Sequence, residues 1–185
     1  MPVHTKNLIL ILILWIGGLL AAGQFAKIAV LLPEIRTLYP LSGSAIAWLL
    51  TLISLVGAIL GGFAGSIANR IGQKNELLAC LFGAGLLSLW QAMLPTFGVM
   101  AFSRVLEGLT HLGIVVAAPS FIAQLSSDRW RGAAMSLWST FFGVSFALFA
   151  LAAIPLASRF GVTAVFQAHG VLMILVAISL FILLG

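Results

Sequence analysis

Residues 65–74 read Gly65-Ser66-Ile67-Ala68-Asn69-Arg70-Ile71-Gly72-Gln73-Lys74. This short turn holds two glycines, two bases and two amides, and it sits inside an unusually apolar chain. Of the 185 residues, nine are basic and four acidic, so 7% are charged while 62% are hydrophobic. Mean hydropathy is +1.22. A soluble domain carries about 25% charged residues, so a polar turn in this background marks a place where the chain leaves an apolar solvent.

On either side of the turn run apolar stretches near the ~20 residues that cross a ~30 Å hydrocarbon core. Short alternating segments, the mark of a membrane β-barrel, do not occur. The spans are therefore helices, because a backbone in lipid must satisfy its own hydrogen bonds. The sequence predicts an all-α polytopic membrane protein of six transmembrane helices, over residues 7–32, 45–68, 77–94, 97–125, 132–157 and 163–184. Pro33 and Pro95 are expected to end the first and third, and Pro119 falls late in the fourth. The connections leave no room for a soluble domain. Lys6, the apolar run from Leu8 and Ala21-Ala22-Gly23 have the outline of a signal peptide. The apolar run continues to Leu32, longer than such a region, and reads as the first span.

Basic residues orient the bundle. Lys6, Arg70, Lys74, Arg129 and Arg131 fall on one side, Arg36 and Arg159 on the other. The side richer in bases faces the cytoplasm, so the amino terminus is expected there, in a plasma or inner membrane. The basic net charge then reflects membrane topology, with no nucleic-acid partner. One cysteine, Cys80, excludes an internal disulfide.

Placed between the second and third helices on the cytoplasmic side, the turn resembles the signature of the major facilitator superfamily, Gly-x-Leu-Ala-Asp-Arg-x-Gly-Arg-Lys. Gly65, Ile67, Ala68, Arg70, Gly72 and Lys74 match, while Asn69 replaces the usual aspartate and Gln73 a frequent base. A basic loop obeying the charge bias would explain Arg70 and Lys74, but not Gly65 and Gly72 in register with them. Arg104-Val105-Leu106-Glu107-Gly108 is similar to the family's Arg-x-x-x-Gly element in the fourth helix, and Asp128-Arg129-Trp130-Arg131-Gly132 to the Arg-Gly turn before the fifth. No Gly-Pro pair marks the fifth span, which argues against a drug antiporter. The resemblance implies the amino-terminal half of a twelve-helix transporter, a 3+3 bundle that moves a small molecule by alternating access. It also implies a gating turn at Gly65, Asn69, Arg70, Gly72 and Lys74, with the usual aspartate capping a helix of the other half. Asn69 keeps an acceptor for that cap but not the charge, so a weaker gate is expected.

Gly57, Gly61 and Gly65 recur every four residues on the second span, and Ser139, Gly143 and Ala147 do so on the fifth. Such stripes let helix backbones approach closely in lipid. Packing inside the bundle is one reading. The other is a partner, because in the family these helices face the opposite half. The sequence stops at Gly185 after one half. A fragment of a longer protein is expected, with a homodimer or an inactive truncation as the other possibilities.

Charges within spans cost roughly 2.5–3.5 kcal/mol each at mid-helix on the insertion scale, and so mark function. Gln24 and Lys27 share one face of the first span, and Arg104, Glu107 and His111 one face of the fourth. At a rise of 1.5 Å per residue, Lys27 and Arg104 lie about 8–10 Å below the outer surface. The family lines its cavity with these two helices, so the five residues are candidates for substrate and proton binding. Competing readings are that Lys27 snorkels to the headgroups, that Arg104 and Glu107 form an intrahelical pair, and that His111 only packs. His169 and Gln167, on the peripheral sixth span, are set aside. Two cations against one carboxylate leave a surplus positive charge, which suggests a small organic anion with Glu107 carrying a proton in symport. No nucleophile, metal cluster or cofactor motif suggests an enzyme, so neither metal nor cofactor is expected, and the charges are too sparse for a channel ring. A non-transporting subunit is the rival reading.

Overall fold

The computed structural model describes the backbone from Val3 to Leu184; the side chains of Val3, His4, Ala64 and Ser66–Ile71 lie outside the described residues. Eight helices follow one another among the described residues: α1 Val3–Val30, α2 Leu32–Leu38, α3 Gly43–Ile71, α4 Gln73–Gln91, α5 Phe97–Leu125, α6 Asp128–Ser139, α7 Phe141–Phe160 and α8 Val162–Leu184. No strand occurs among the described residues.

Several boundaries differ from those the sequence suggests. Pro33 starts the short α2 instead of closing the first span, as proline does where the missing N–H has no helical partner. The third helix begins at Gln73, four residues earlier than expected, and stops at Gln91. Glycine makes this early start possible: Gly72 takes φ +86° and turns α3 directly into α4, a left-handed conformation that side chains disfavour. Gly161, at φ +81°, does the same between α7 and α8. The fifth span is two helices. At Thr140 the backbone N–H donates to Leu137 O at 3.1 Å and the hydroxyl donates to the same carbonyl at 2.7 Å, tightening one turn between α6 and α7.

Among the described residues five helices, α1, α3, α5, α7 and α8, are long and apolar enough to cross a membrane. The first turn of α4, Gln73-Lys74-Asn75-Glu76, keeps that helix more polar. Nevertheless α4 packs along both α8 and α5. α1 contacts α5, α7 and α8, and α3 lies chiefly on α5.

Glycines set the tightest seams. A Cβ on Gly85 would stand 2.9 Å from Gly170 O, and one on Gly170 would stand 2.8 Å from Gly85 O. α4 and α8 therefore meet backbone to backbone. A Cβ on Gly108 would strike Val56 at 2.7 Å, which holds α5 against α3. By contrast, a Cβ on Gly57, Gly61, Gly65 or Gly143 would meet nothing within 4 Å among the described residues, so packing among those residues does not account for these four glycines.

Two apolar clusters fill the interior. One gathers Leu10, Leu14, Leu81, Ile114, Met173 and their neighbours; the other gathers Ile28, Leu31, Leu49, Met100 and Phe166. On α1, α4, α5 and α8 alike, polar residues occupy the level between them: Gln24 and Lys27, Ser88 and Gln91, Arg104 and Glu107, His169. The bundle thus carries one polar layer between two apolar ones.

Candidate functional site

Lys27 lies at the centre of this layer with no exposed surface. Its ammonium donates to Glu107 Oε1 at 2.7 Å, Gln91 Oε1 at 2.8 Å and Ser88 Oγ at 3.1 Å. All three N–H bonds are engaged, and the Phe166 ring centroid lies 4.9 Å away. Snorkelling is therefore not what this lysine does. Glu107 takes a second cation on Oε2, from Arg104 Nη1, three residues earlier on α5. The intrahelical pair anticipated from the sequence exists, but as one arm of a Lys27–Glu107–Arg104 triad that is fully buried. Burying charges is costly unless each is paired and hydrogen-bonded, and this packing supplies the partners.

The supporting amides and hydroxyls have assignable orientations. Gln91 Nε2 donates to Glu107 Oε2 at 2.8 Å and to Ser103 Oγ at 2.9 Å. The Ser103 hydroxyl itself donates to Met100 O at 2.6 Å. Gln91 Oε1 is thereby turned toward the lysine. Arg104 Nε donates to Leu49 O of α3 at 2.9 Å, tying a third helix to the triad, while Nη2 is buried with no partner among the described residues.

His169, set aside on sequence grounds, belongs to the layer. Its Nε2 donates to Leu20 O at 2.8 Å, and its Nδ1 faces Ser88 Oγ at 2.9 Å. The Leu20 carbonyl accepts from Nε2–H, while the Ser88 hydroxyl donates to Phe166 O at 2.8 Å. The close Gly85–Gly170 contact brings Ser88, one turn beyond Gly85, beside His169. Ser88, Gln91 and Ser103 were likewise missed. The signal for Ser88 and Gln91 was present as polar residues one helical turn apart on an otherwise apolar stretch of α4; Ser103 lies on α5, next to Arg104. Gln167 is exposed and takes no part.

Gln24 and His111 lie on the flank of the layer. Gln24 Nε2 donates to Thr110 Oγ1 at 3.1 Å, and Thr110 donates to Glu107 O at 3.0 Å. His111 Nδ1 is 3.1 Å from Ala21 O, to which it donates, and its ring stands edge-on to Phe25 at 5.0 Å. Gln24, Lys27, Arg104 and Glu107 are fully buried and His111 half-buried.

In the turn, Gly65 is exposed and Gly72 makes the bend. Lys74 Nζ donates to Leu184 O at 2.7 Å, a cation at the last turn of α8, where the helix dipole favours it. The Asn69 and Arg70 side chains lie outside the described residues.

A family comparison matches the Major Facilitator Superfamily over residues 14–185. The chain belongs to the Major Facilitator Superfamily. Members of this superfamily are multi-pass membrane proteins that transport small molecules, and they are not enzymes. The chain is 28% identical over 125 residues to the galactose-proton symporter of Escherichia coli K12, covering 66% of this chain and 26% of that protein. It is 34% identical over 132 residues to D-xylose-proton symporter-like 2 of Arabidopsis thaliana, with the same two coverages. Over 85 residues it is 35% identical to the putative metabolite transport protein YncC of Bacillus subtilis, covering 45% and 18%. These matches span about a quarter or less of the relatives' length.

Proposed function

We propose that this six-helix unit transports a small organic anion together with a proton by alternating access, working with a second six-helix half. The observation that carries the reading is the triad: two buried cations share one carboxylate, and the Arg104 Nη2 donor is free. A carboxylate or phosphate arriving at that guanidinium balances the charge, since Arg presents a planar fork to such groups. Glu107, relieved of Arg104, is then the group to take the proton. The names of two relatives support proton coupling and make a sugar the competing substrate.

α4 completes six spans in this reading, because a helix packed between α5 and α8 shares their depth. The excess of bases beside the amino terminus and in the two turns on its side supports a cytoplasmic amino terminus in a plasma or inner membrane. The glycines of α3 and α7 with nothing near them support a second half docked there, from the same polypeptide or from another copy.

The test is uptake into proteoliposomes of the complete natural protein under an imposed pH gradient, with carboxylates, phosphate and sugars offered in parallel. Accumulation of an anion supports the proposal. Accumulation of a neutral sugar with no anion uptake refutes it.

A further inference from the structure

Beyond the triad, one buried acceptor of the polar layer, Gln24 Oε1, awaits a donor, and half-buried His111 offers a second acceptor on its flank. Thr110 has one hydroxyl hydrogen, and it goes to Glu107 O. The Gln24–Thr110 contact must therefore be donated by Gln24 Nε2, which fixes the amide. Gln24 Oε1 is left buried with no hydrogen-bond partner among the described residues. An orphaned acceptor of this kind is costly. His111 repeats the pattern. With Nδ1 donating to Ala21 O, the neutral ring presents Nε2 as an acceptor. Ala21 precedes Gln24 by one turn of α1 and Thr110 adjoins His111 on α5, so both acceptors belong to one α1–α5 seam. The Phe25 ring is edge-on to His111, and Phe142 lies 5.7 Å from Phe25.

At the other end of the layer the unmet group is a donor, Arg104 Nη2. From Arg104 to Thr110, the level of Gln24, is six residues of helix, or about 9 Å. The needs at the two ends are opposite. Near Arg104 the layer wants an acceptor, and near Gln24 and His111 it wants a donor.

The geometry points to a polyhydroxylated organic acid as substrate, with its carboxylate on Arg104 and separate hydroxyls, several carbons away, donating one to Gln24 Oε1 and one to His111 Nε2. This rests on the anion-transport reading above and narrows it. A plain dicarboxylate is disfavoured because its far end brings an acceptor against two acceptors. A neutral polyol is disfavoured because it leaves the surplus positive charge uncompensated.

Calorimetric titration of the complete natural protein in detergent distinguishes these cases with three six-carbon probes: gluconate, adipate and glucitol. Gluconate should bind on the order of 10-fold or more tighter than either of the others, because a site built for a hydroxyl rejects ligands that leave it unmet. In Gln24→Leu and His111→Phe the gluconate-to-adipate ratio should fall toward unity. A ratio measured within one variant does not depend on how much of it folds. If adipate binds as tightly as gluconate, or if the ratio survives both substitutions, the hydroxyl assignment is wrong. If no probe binds, the inference fails, while uptake of some other anion would leave the transport reading standing. If glucitol matches gluconate, the acid assignment fails and the anion reading fails with it.

Discussion

Lys27 and Glu107 stand 80 positions apart in the chain, and their side chains meet at 2.7 Å with no exposed surface. The asymmetry of the triad makes the cost of losing each member unequal. Removing Lys27 leaves Arg104 and Glu107 as a balanced pair, whereas removing Glu107 leaves two uncompensated buried cations. Breaking a buried pair costs roughly 3–5 kcal/mol, so Glu107→Leu should lower the thermal midpoint in detergent far more than Lys27→Met. Equal losses would mean that the three charges are not electrostatically linked. The candidate residues were legible from sequence because ionisable groups in an apolar span stand out. Their mutual contacts were not, since helical spacing gives a face and a depth but not a neighbour. His169 shows the limit: nothing local in α8 reveals that Gly170 beside it lets α4 approach closely enough for Ser88 to reach its ring.

At the scale of helices, the same glycines that read alike in sequence behave in two ways. Gly170 and Gly85 are in contact across α4 and α8, while Gly61 of α3 faces nothing. Gly170→Ala must push Leu89 or the Gly85 backbone aside and should cost about 1–3 kcal/mol. Gly61→Ala should leave thermal stability unchanged or raise it by up to ~1 kcal/mol, through the better helix propensity of alanine. Thermal unfolding of the two variants side by side checks this, and an equal loss in both would contradict the packing described. Five of the spans and their rough limits followed from apolar length, but the details depended on local chemistry that length does not report. Pro33 is compatible with a helix start as well as a helix end, and Gly72 can replace a loop by a single residue. The tightened turn at Thr140 depends on a hydroxyl reaching back to Leu137 O.

For the whole molecule, the layered interior gives α1, α4, α5 and α8 a shared polar level, and the glycines Gly57, Gly61 and Gly65 of α3 and Gly143 of α7 have no packing partner among the described residues. In the proposed function a second half docks on those faces and the turn at Asn69 lies at its cytoplasmic seam. Restoring the family's aspartate there with Asn69→Asp adds a carboxylate where the resemblance places a helix N-terminus of the other half. The gain of ~0.3–1 kcal/mol expected at such a terminus should slow cytoplasmic opening a few-fold, read as a lower exchange rate; an unchanged rate would contradict the gating role.

In the proposed function Glu107 carries the coupled proton while the two cations hold the substrate. Glu107→Gln keeps the shape of the side chain and a carbonyl acceptor but cannot exchange a proton, so it separates the two functions. The measurement is paired substrate counterflow and pH-driven accumulation in proteoliposomes of the complete natural protein. The predicted result is that counterflow persists in Glu107→Gln while accumulation in response to the pH gradient disappears. Accumulation at the wild-type level in that variant would contradict the claim.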